Sequence, residues 1–478
     1  MGKNNNLKDF LKDVADAIRE RKKIDTYINP QDFSSEILSI KGGGNGAIAD
    51  NDIRFFDYDG TLLYSYTFEE AKTLEELPEL PNHDGLICQG WNWDLEDIKA
   101  LDYPMDIGAM YITNDGKTRI YITVPAGLSR GVQVNTVITR PNEITIDWGD
   151  GNKDYVSGST DSYHIYNQDG SYIITLDAGE DILYSIRNNT GKAYPLTGQI
   201  SCITKIELGK NVILESGAFR STNHIETITI PEGTFFNGTL QFFEVNIKCL
   251  IIPKGVTVFD GSNNNKRLSV LSMPKGMVNV GALAGCSMLN KINFPETVQN
   301  ISNLTSTPLE KFICPKDLTS FPTLNAPTLR FVEFNNKITT INYNAFYLSQ
   351  VQTITLPESV TSIGNSSFKN MYLLNNINLS DNIERLENQS FYGCILLTKI
   401  KMPRALNSIG QNSMDQCLSL KYLDFTKCEQ IPTLEDINAI TIIEGLEIWV
   451  PNDLYVDWVK QDNWAELESY IIAKDRTE

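Results

Sequence analysis

Residue types that commonly carry catalysis or bind metal ions are sparse and scattered in this chain of 478 residues. It has three histidines, and its eight cysteines include no Cys-x-x-Cys pair. Zinc sites and redox-active pairs need such close spacing, so neither is expected. The chain also has no Gly-x-Ser-x-Gly, no Walker loop and no Gly-x-Gly-x-x-Gly. We therefore predict a protein that is not an enzyme and that binds neither cofactor nor metal.

One acidic string could carry chemistry. The sequence Asp-Tyr-Asp-Gly-Thr at residues 57–61 resembles the first motif of haloacid-dehalogenase-like phosphatases. That resemblance would make Asp57 a nucleophile and Asp59 an acid. Such an enzyme also needs a longer buried strand before the motif, a later lysine and a late acidic pair for magnesium, and this chain does not supply the set. Apolar runs on both sides of the Asp-Gly step instead predict a β-hairpin.

The composition predicts a folded, acidic protein. Lysine and arginine number 41 against 60 aspartates and glutamates, which gives a net charge of −19. This charge disfavours nucleic acid and anionic membranes as partners. No apolar run approaches the ~20 residues of a membrane span, and no apolar segment of a signal peptide follows Met1. We expect a soluble protein that is synthesised in a cytoplasm.

A repeated phrase dominates the chain from about residue 200. Apolar residues occupy its first, fourth and sixth positions and proline often follows, as in residues 225–231 and 351–357. The phrase occurs twelve times, every 20 to 25 residues. One unit cannot bury its own apolar stripe, so the units must stack, and each adds a strand to a shared sheet. The predicted fold is mainly β, with a solenoid over residues 200–451.

The repeats resemble the irregular, BspA-like type of leucine-rich repeat. Between phrases, a phenylalanine recurs, followed by a small or sulfur-containing residue; Cys286, Cys394 and Cys417 share that second position. Their place in the repeat predicts interior packing rather than reactivity. After the last repeat, residues 452–478 have apolar residues at helical spacing, which predicts two capping helices with Trp458 and Trp464 as lids on the core.

A small domain is predicted at residues 50–117. Its hairpin, its proline-flanked linker and its closing Gly-Trp resemble the β-grasp-like B repeats of internalin-type bacterial surface proteins. The resemblance implies that Trp91 and Trp93 are core residues.

A β-sandwich is predicted at residues 118–181. Apolar residues alternate there, and the Trp-Gly-Asp-Gly string at residues 148–151 resembles domains of the polycystic-kidney-disease (PKD) type, which mostly serve as spacers. Asp147 and Asp150 could bind calcium. A turn of this kind more often uses its carboxylates to cap its own backbone.

Two helices are predicted in residues 7–40, followed by a glycine linker that ends at residue 46. A helical pair of this size cannot bury its apolar face alone. The face therefore packs either on the rest of the chain or, as an anchoring or oligomerisation module, on copies of itself or a larger assembly. Its residues are Leu7, Phe10, Leu11, Val14 and Ile18.

The candidate binding site lies on the open side of the repeat sheet. The third and fifth residues of each phrase should face solvent, and most are polar. Apolar residues there indicate a binding patch unless a loop or the preceding domain covers them. The outward columns contain no tryptophan as far as Asp424, which argues against sugar stacking. The candidate receptor-binding residues are Ile251, Val270, Ile313, Phe331, Lys311, Lys291 and Tyr422.

The order of these segments is similar to that of tail-associated or host-recognition proteins of bacteriophages, and residues 11–33 are similar to their N-terminal modules. The resemblance implies a homotrimer on the virion tail that contacts other tail or baseplate proteins. It would bind a bacterial surface protein or glycan through the repeats. Two alternatives remain: a bacterial cell-surface adhesin, and a structural baseplate or tail component with no receptor role.

Overall fold

A computed structural model describes residues 51–124, 131–138, 142–186, 203–220, 222, 224–239 and 241–476. The predicted helical module of residues 1–46 lies outside the described residues, as do its five apolar residues. Within the described ranges, no helix has the length and apolarity that a membrane span requires.

Residues 51–113 form a four-stranded mixed sheet with two short helices, and we call this unit the docked domain because it packs on the solenoid. Strand β1 pairs with β2 in antiparallel and with β4 in parallel orientation, and β3 pairs with β4. The predicted hairpin is the β1–β2 pair, and Trp91 and Trp93 are buried. The elements are β1 (Ile53–Phe56), β2 (Leu62–Tyr66), α1 (Phe68–Lys72), β3 (Leu86–Trp91), α2 (Leu95–Lys99) and β4 (Met105–Thr113).

A β-sandwich follows. One sheet has the order β8-β7-β10-β5 and the other has the order β9-β6-β11. Alternating apolar residues fill the space between them, together with the buried Trp148. The strands are β5 (Thr118–Val124), β6 (Gly131–Ile138), β7 (Ile144–Asp147), β8 (Lys153–Val156), β9 (Gly158–Ile165), β10 (Gly170–Asp177) and β11 (Tyr184–Ile186).

The solenoid has two ladders of short parallel strands, one on each side of the core, over about twelve turns. In the first ladder, residues 291–293 hold the place of the fifth strand without forming one. This ladder contains β12 (Ile203–Glu207), β14 (Thr227–Thr229), β16 (Cys249–Ile251), β18 (Val270–Ser272), β21 (Lys311–Ile313), β23 (Phe331–Glu333), β25 (Thr353–Thr355), β27 (Asn376–Asn378), β29 (Lys399–Lys401), β31 (Tyr422–Asp424), β33 (Glu447–Pro451) and β34 (Ile471–Lys474).

The second ladder lies on the opposite side of the core. Its strands are β13 (Val212–Leu214), β15 (Phe235–Phe236), β17 (Val258–Gly261), β19 (Asn279–Ala282), β20 (Asn300–Ile301), β22 (Ser320–Phe321), β24 (Thr340–Ile341), β26 (Ser362–Ile363), β28 (Arg385–Leu386), β30 (Ser408–Ile409) and β32 (Thr433–Leu434).

The sandwich is the N-terminal cap of the solenoid. Strand β5 pairs with β12 of the first repeat, and β11 pairs with β13, so both sheets of the sandwich continue into the two ladders. One apolar cluster runs from Ile120 to Ile471. The sandwich was expected to be a separate spacer, but it forms one continuous structure with the solenoid. Pairing with the first repeat removes an exposed edge from each sheet of the sandwich.

Aromatic side chains and thiols stack through the solenoid interior. The rings of Phe346, Phe368 and Phe391 lie nearly parallel, with centroids 5.3 and 5.0 Å apart. The Cys394 thiol donates a hydrogen bond to the Phe368 carbonyl oxygen, and the Cys417 thiol donates to that of Phe391. The thiol column is therefore part of the packed core.

The C-terminal end is closed by helix α3 (Tyr455–Trp458), a 3₁₀ helix (Ala465–Tyr470) and β34; a further 3₁₀ turn, Ile437–Ala439, precedes β33. Trp458 and Trp464 are fully buried, and both contact the ring of Phe425. The Trp464 indole donates a hydrogen bond to the Pro432 carbonyl oxygen. The two tryptophans cover the last turn of the core.

Burial should make most of the thiols unreactive in the folded protein. It raises the pKa of Cys286, Cys314, Cys417 and Cys428 to about 12, so these thiols stay protonated at pH 8. Cys88 is exposed. We expect iodoacetamide at pH 8 to modify Cys88 first and the four buried thiols only after unfolding, as read by peptide mass spectrometry. Rapid native labelling of Cys417 would contradict the packing.

Candidate ligand-binding face

The outward side chains of the first ladder form a surface that we call the open face. Register pairs Lys311 with Phe331 and Ile313 with Glu333 in neighbouring repeats. Because successive strands are parallel and in register, side chains at equivalent positions stand in rows about 4.8 Å apart. Such rows present a rigid, regularly spaced surface to a partner.

The docked domain covers the N-terminal part of the open face. Phe56 and Met110 of the docked domain pack with Cys249, Ile251 and Val270 in a separate small cluster of buried side chains. Strand β4 crosses directly over the ladder at Gly108, where any side chain would collide with Ile251. The contact depends on a glycine at this crossing.

Two candidate residues are therefore not on an exposed surface. Ile251 is 6% exposed and Val270 is 8% exposed. The prediction that they line a solvent-facing patch is wrong, and the alternative that the preceding domain covers them describes both. Their outward orientation was correctly deduced from the repeat, but the burying surface comes from residues more than 100 positions earlier in the chain.

Asn92 is the centre of a hydrogen-bond network between the docked domain and the solenoid. Its side-chain amide nitrogen donates to the Ile252 carbonyl oxygen at 3.0 Å and to the Ser272 hydroxyl oxygen at 2.9 Å, and its oxygen accepts from the Gly108 amide. The Ser272 hydroxyl in turn donates to the Asp106 carbonyl oxygen at 2.7 Å. Buried polar groups that are satisfied across an interface fix its geometry.

Three lysines extend the interface along its edge. Lys254, Lys275 and Lys316 each follow the proline that ends a strand phrase, and they pair with Asp94, Asp97 and Asp102 of the docked domain, respectively. These pairs are solvent-exposed and contribute little energy individually. They connect the docked domain to the repeats whose strand phrases end at Pro253, Pro274 and Pro315.

Beyond the docked domain, the open face is accessible at four other candidate residues. Phe331 is 47% exposed, and Lys311 places its ammonium 4.9 Å from the centre of the Phe331 ring. Ile313 and Lys291 are half-buried. These four residues occupy three consecutive repeats, so the structure brings them together next to the edge of the docked domain.

A cleft of about 790 Å³ lies where the docked domain meets these repeats, and we call it the junction cleft. Ligand sites commonly have volumes in this range and occur between domains. Its walls come from residues 52–54 and 102–104 of the docked domain and from residues 290–296, 310–316 and 333–335 of the solenoid. Asn293 lines it and is 8% exposed, and its side-chain nitrogen has no hydrogen-bond partner among the described residues.

Tyr422 belongs to a second cluster near the C-terminal end of the open face. Its ring lies 5.1 Å from that of Trp449, and the Lys399 and Lys474 ammonium groups lie 4.3 and 5.3 Å from the Trp449 ring. Trp449 pairs in register with Asp424. Sequence analysis missed this tryptophan because the outward columns were followed only to the eleventh repeat; one further repeat would have found it.

The two aspartates of the phosphatase-like string stabilise a turn. Asp57 accepts a hydrogen bond from the Tyr58 amide and lies 2.9 Å from His83 Nε2, while Asp59 accepts from the Thr61 amide. The Asp57 carbonyl oxygen also accepts from Gly60 within the hairpin. These contacts give the string a structural role.

Asp147 and Asp150 likewise cap their own turn. Asp147 accepts from the Gly149 amide and pairs with Lys153, and the hydrogen bond from Lys153 lowers the pKa of Asp147. Asp150 accepts from the Asn152 amide and lies 2.8 Å from His164 Nε2. Among the residues with described positions, no group of three acidic, histidine or cysteine side chains could hold a metal ion.

A family model, the BspA type leucine rich repeat region, matches six copies in residues 199–305, 262–325 and 323–435. Comparison with curated protein sequences gives no match. Similar solved structures include a leucine-rich repeat protein from Bacteroides ovatus, 17% identical with a TM-score of 0.37 over 57% of this chain and 84% of that one. A leucine rich cell surface protein from Faecalibacterium prausnitzii is 18% identical, with a TM-score of 0.31 over 57% of this chain and 88% of that one. The pneumococcal vaccine antigen PcpA is 14% identical, with a TM-score of 0.29 over 57% of this chain and 84% of that one.

Replacing Ile251 with aspartate should release the docked domain. An unpaired charge would be buried against β4, which typically costs several kcal/mol. We expect Ile251→Asp to accelerate limited proteolysis within residues 51–113 while the repeats stay folded by circular dichroism. Phe331→Asp, on the exposed part of the same face, is the matched control and should leave cleavage unchanged. Equal cleavage of both variants would contradict the docking.

Proposed function

We propose that this chain, which carries BspA-type leucine-rich repeats over residues 199–435, is a non-catalytic adhesion protein that binds its partner with the uncovered part of the open face. The observation that carries the proposal is the half-exposed Phe331 beside a cleft of about 790 Å³ on a mostly polar ladder. Exposed apolar side chains at the centre of a polar surface are typical of binding sites.

The shape of the uncovered face suits recognition of a macromolecule. Seven strands of the first ladder, from β21 to β33, follow the covered part. At ~4.8 Å per strand they span roughly 29 Å. A surface of this length can contact a partner at both the Phe331 end and the Tyr422–Trp449 end, and two weak contacts on one rigid body raise the affinity together.

The structural roles of the aspartate–histidine pairs and of the buried thiols support the proposal that the protein is not catalytic. Both Asp–His pairs lie at turns whose backbone the aspartates cap. Burial raises the pKa of the thiols in the solenoid core, which disfavours the nucleophilic thiolate.

We place the protein on the surface of a bacterial cell, because the same kind of repeats occurs in bacterial surface adhesins. The tail-associated role, with its homotrimer, stays a prediction that rests on the similarity of residues 11–33 and on the PKD-like resemblance. A structural component whose repeat face is buried by partner subunits is the third candidate.

Immunogold electron microscopy of the source culture separates these locations. With an antibody against residues 200–478, an adhesin predicts label on the cell envelope both before and after particle induction. Label confined to particle tails after induction would overturn the cell-surface assignment and establish a virion protein.

Charges placed at the exposed apolar residues should abolish attachment. We expect the double variant Phe331→Asp with Ile313→Asp to lose capture on arrays of immobilised extracellular proteins and glycans at least about tenfold, because a buried unpaired charge at a contact centre costs well over 1.4 kcal/mol. Its melting temperature should stay close to that of the unmodified chain, since Phe331 is half-exposed and Ile313 is only half-buried.

Tyr372→Asp is the matched control, because Tyr372 is 46% exposed but lies outside the strands of the open face. It should attach normally. A double variant that attaches as well as this control would refute the assignment of the binding face.

A further inference from the structure

The charge on the walls of the junction cleft favours a cationic ligand. Five carboxylates and four cationic side chains line it. Arg54 is already engaged by both carboxylate oxygens of Asp106, which stands behind the wall, at 2.8 and 3.0 Å. Lys316 is engaged by Glu296 and Asp102. Lys291 and Lys311 are the other two cations of the cleft. With Asp106 included, six carboxylates stand against four cations, so the cleft has a small net negative charge in a chain that is itself strongly acidic.

Three carboxylates of the cleft form no ion pair with any described residue: Asp52 of the docked domain, and Glu310 and Glu333 of neighbouring repeats. Glu310 and Glu333 are exposed, and Asp52 is half-buried. Lys311, the nearest cation in the sequence, lies over the Phe331 ring. These three carboxylates can pair with a cationic group of a ligand. Asp52 lies on the docked-domain wall of the cleft, and Glu310 and Glu333 lie on the solenoid wall.

Apolar side chains also line the junction cleft. Ile313 and Phe334 line the solenoid wall, and Tyr103 lines the opposite wall with the ammonium of Lys316 at 5.9 Å from its ring. The aliphatic part of a lysine or arginine side chain packs well on such a surface while its charged end stays at the polar rim. The Tyr103 ring also attracts cations.

The buried amide of Asn293 adds a requirement for an acceptor. Its nitrogen has two N–H donors, and none is used among the described residues. A donor that is buried without an acceptor is costly. Because this nitrogen is shielded from solvent, the amide must turn toward the cleft to donate, and a ligand that supplies a carbonyl oxygen there is favoured. A peptide backbone carries such an oxygen at every residue.

We propose that the junction cleft binds an extended polypeptide segment of the partner through a lysine or arginine side chain. The basic side chain pairs with Glu310, Glu333 and Asp52, its aliphatic part packs on Ile313, and a backbone carbonyl oxygen accepts from the Asn293 amide, which turns toward the cleft. A neutral saccharide could also accept from Asn293 but would bring no positive charge to pair with the three carboxylates. This inference rests on the proposed function, because it assigns the ligand of the same face.

The test uses fluorescence anisotropy with the full chain and three labelled heptapeptides. The first has five alanines and two lysines, and the others have glutamine or glutamate in place of lysine. The test variant is Glu310→Gln with Glu333→Gln. The matched control is Glu466→Gln with Glu468→Gln, which removes the same two negative charges from exposed positions on the C-terminal 3₁₀ helix (Ala465–Tyr470).

We expect the unmodified chain and the control variant to bind the lysine peptide about tenfold or more tightly than the glutamine peptide, and the test variant to lose that preference. Binding should weaken as salt rises from 50 to 300 mM, because the contact is ionic. Equal binding of the lysine peptide by the test and control variants would overturn the proposal. So would displacement of the lysine peptide by the neutral oligosaccharide cellohexaose.

Attachment on the arrays is measured in parallel with the same variants. An unmodified chain that binds the lysine peptide but attaches to no immobilised molecule would refute the proposed adhesion and leave the cleft assignment standing. A test variant that loses the peptide but attaches fully would refute the cleft as the attachment site while leaving the open face in place.

Discussion

The structure depends on one constraint: a repeat of 20 to 25 residues cannot bury its own apolar stripe. Every turn of the solenoid therefore completes its core with its neighbours, and the two end turns must be covered by something else. At the N-terminal end the sheets of the β-sandwich continue into both ladders, and at the C-terminal end Trp458 and Trp464 cover the last turn. One apolar cluster consequently joins the sandwich, the repeats and the cap.

The same constraint decides which part of the open face is available for binding. Apolar side chains that point outward from the first repeats would be exposed, and the docked domain buries them with Phe56, Met110 and the backbone at Gly108. Asn92 and the lysine–aspartate pairs fix that domain in register with the repeats. Its edge then forms one wall of the junction cleft, so domain packing and ligand recognition share a boundary.

Much of this fold could be predicted from local patterns. The repeat period predicted the mainly β solenoid, and family comparison confirms that the repeats are of the BspA type. The burial of Trp91, Trp93, Trp458 and Trp464 also followed from the sequence. Contacts between distant segments did not: nothing near Ile251 or Val270 in the sequence shows that β4 lies over them. A single glycine, Gly108, makes that contact possible, but glycines in strands also occur at bulges and at tight bends.

Hydrogen–deuterium exchange of the full chain, with and without a partner captured on the arrays, shows which surface of the protein the partner covers. We expect slower amide exchange on binding in residues 290–316 and 331–335, around the junction cleft and the uncovered strands beside it. Slower exchange confined to the outer strands of the sandwich or to the second ladder would contradict it, because the partner would then bind a different surface.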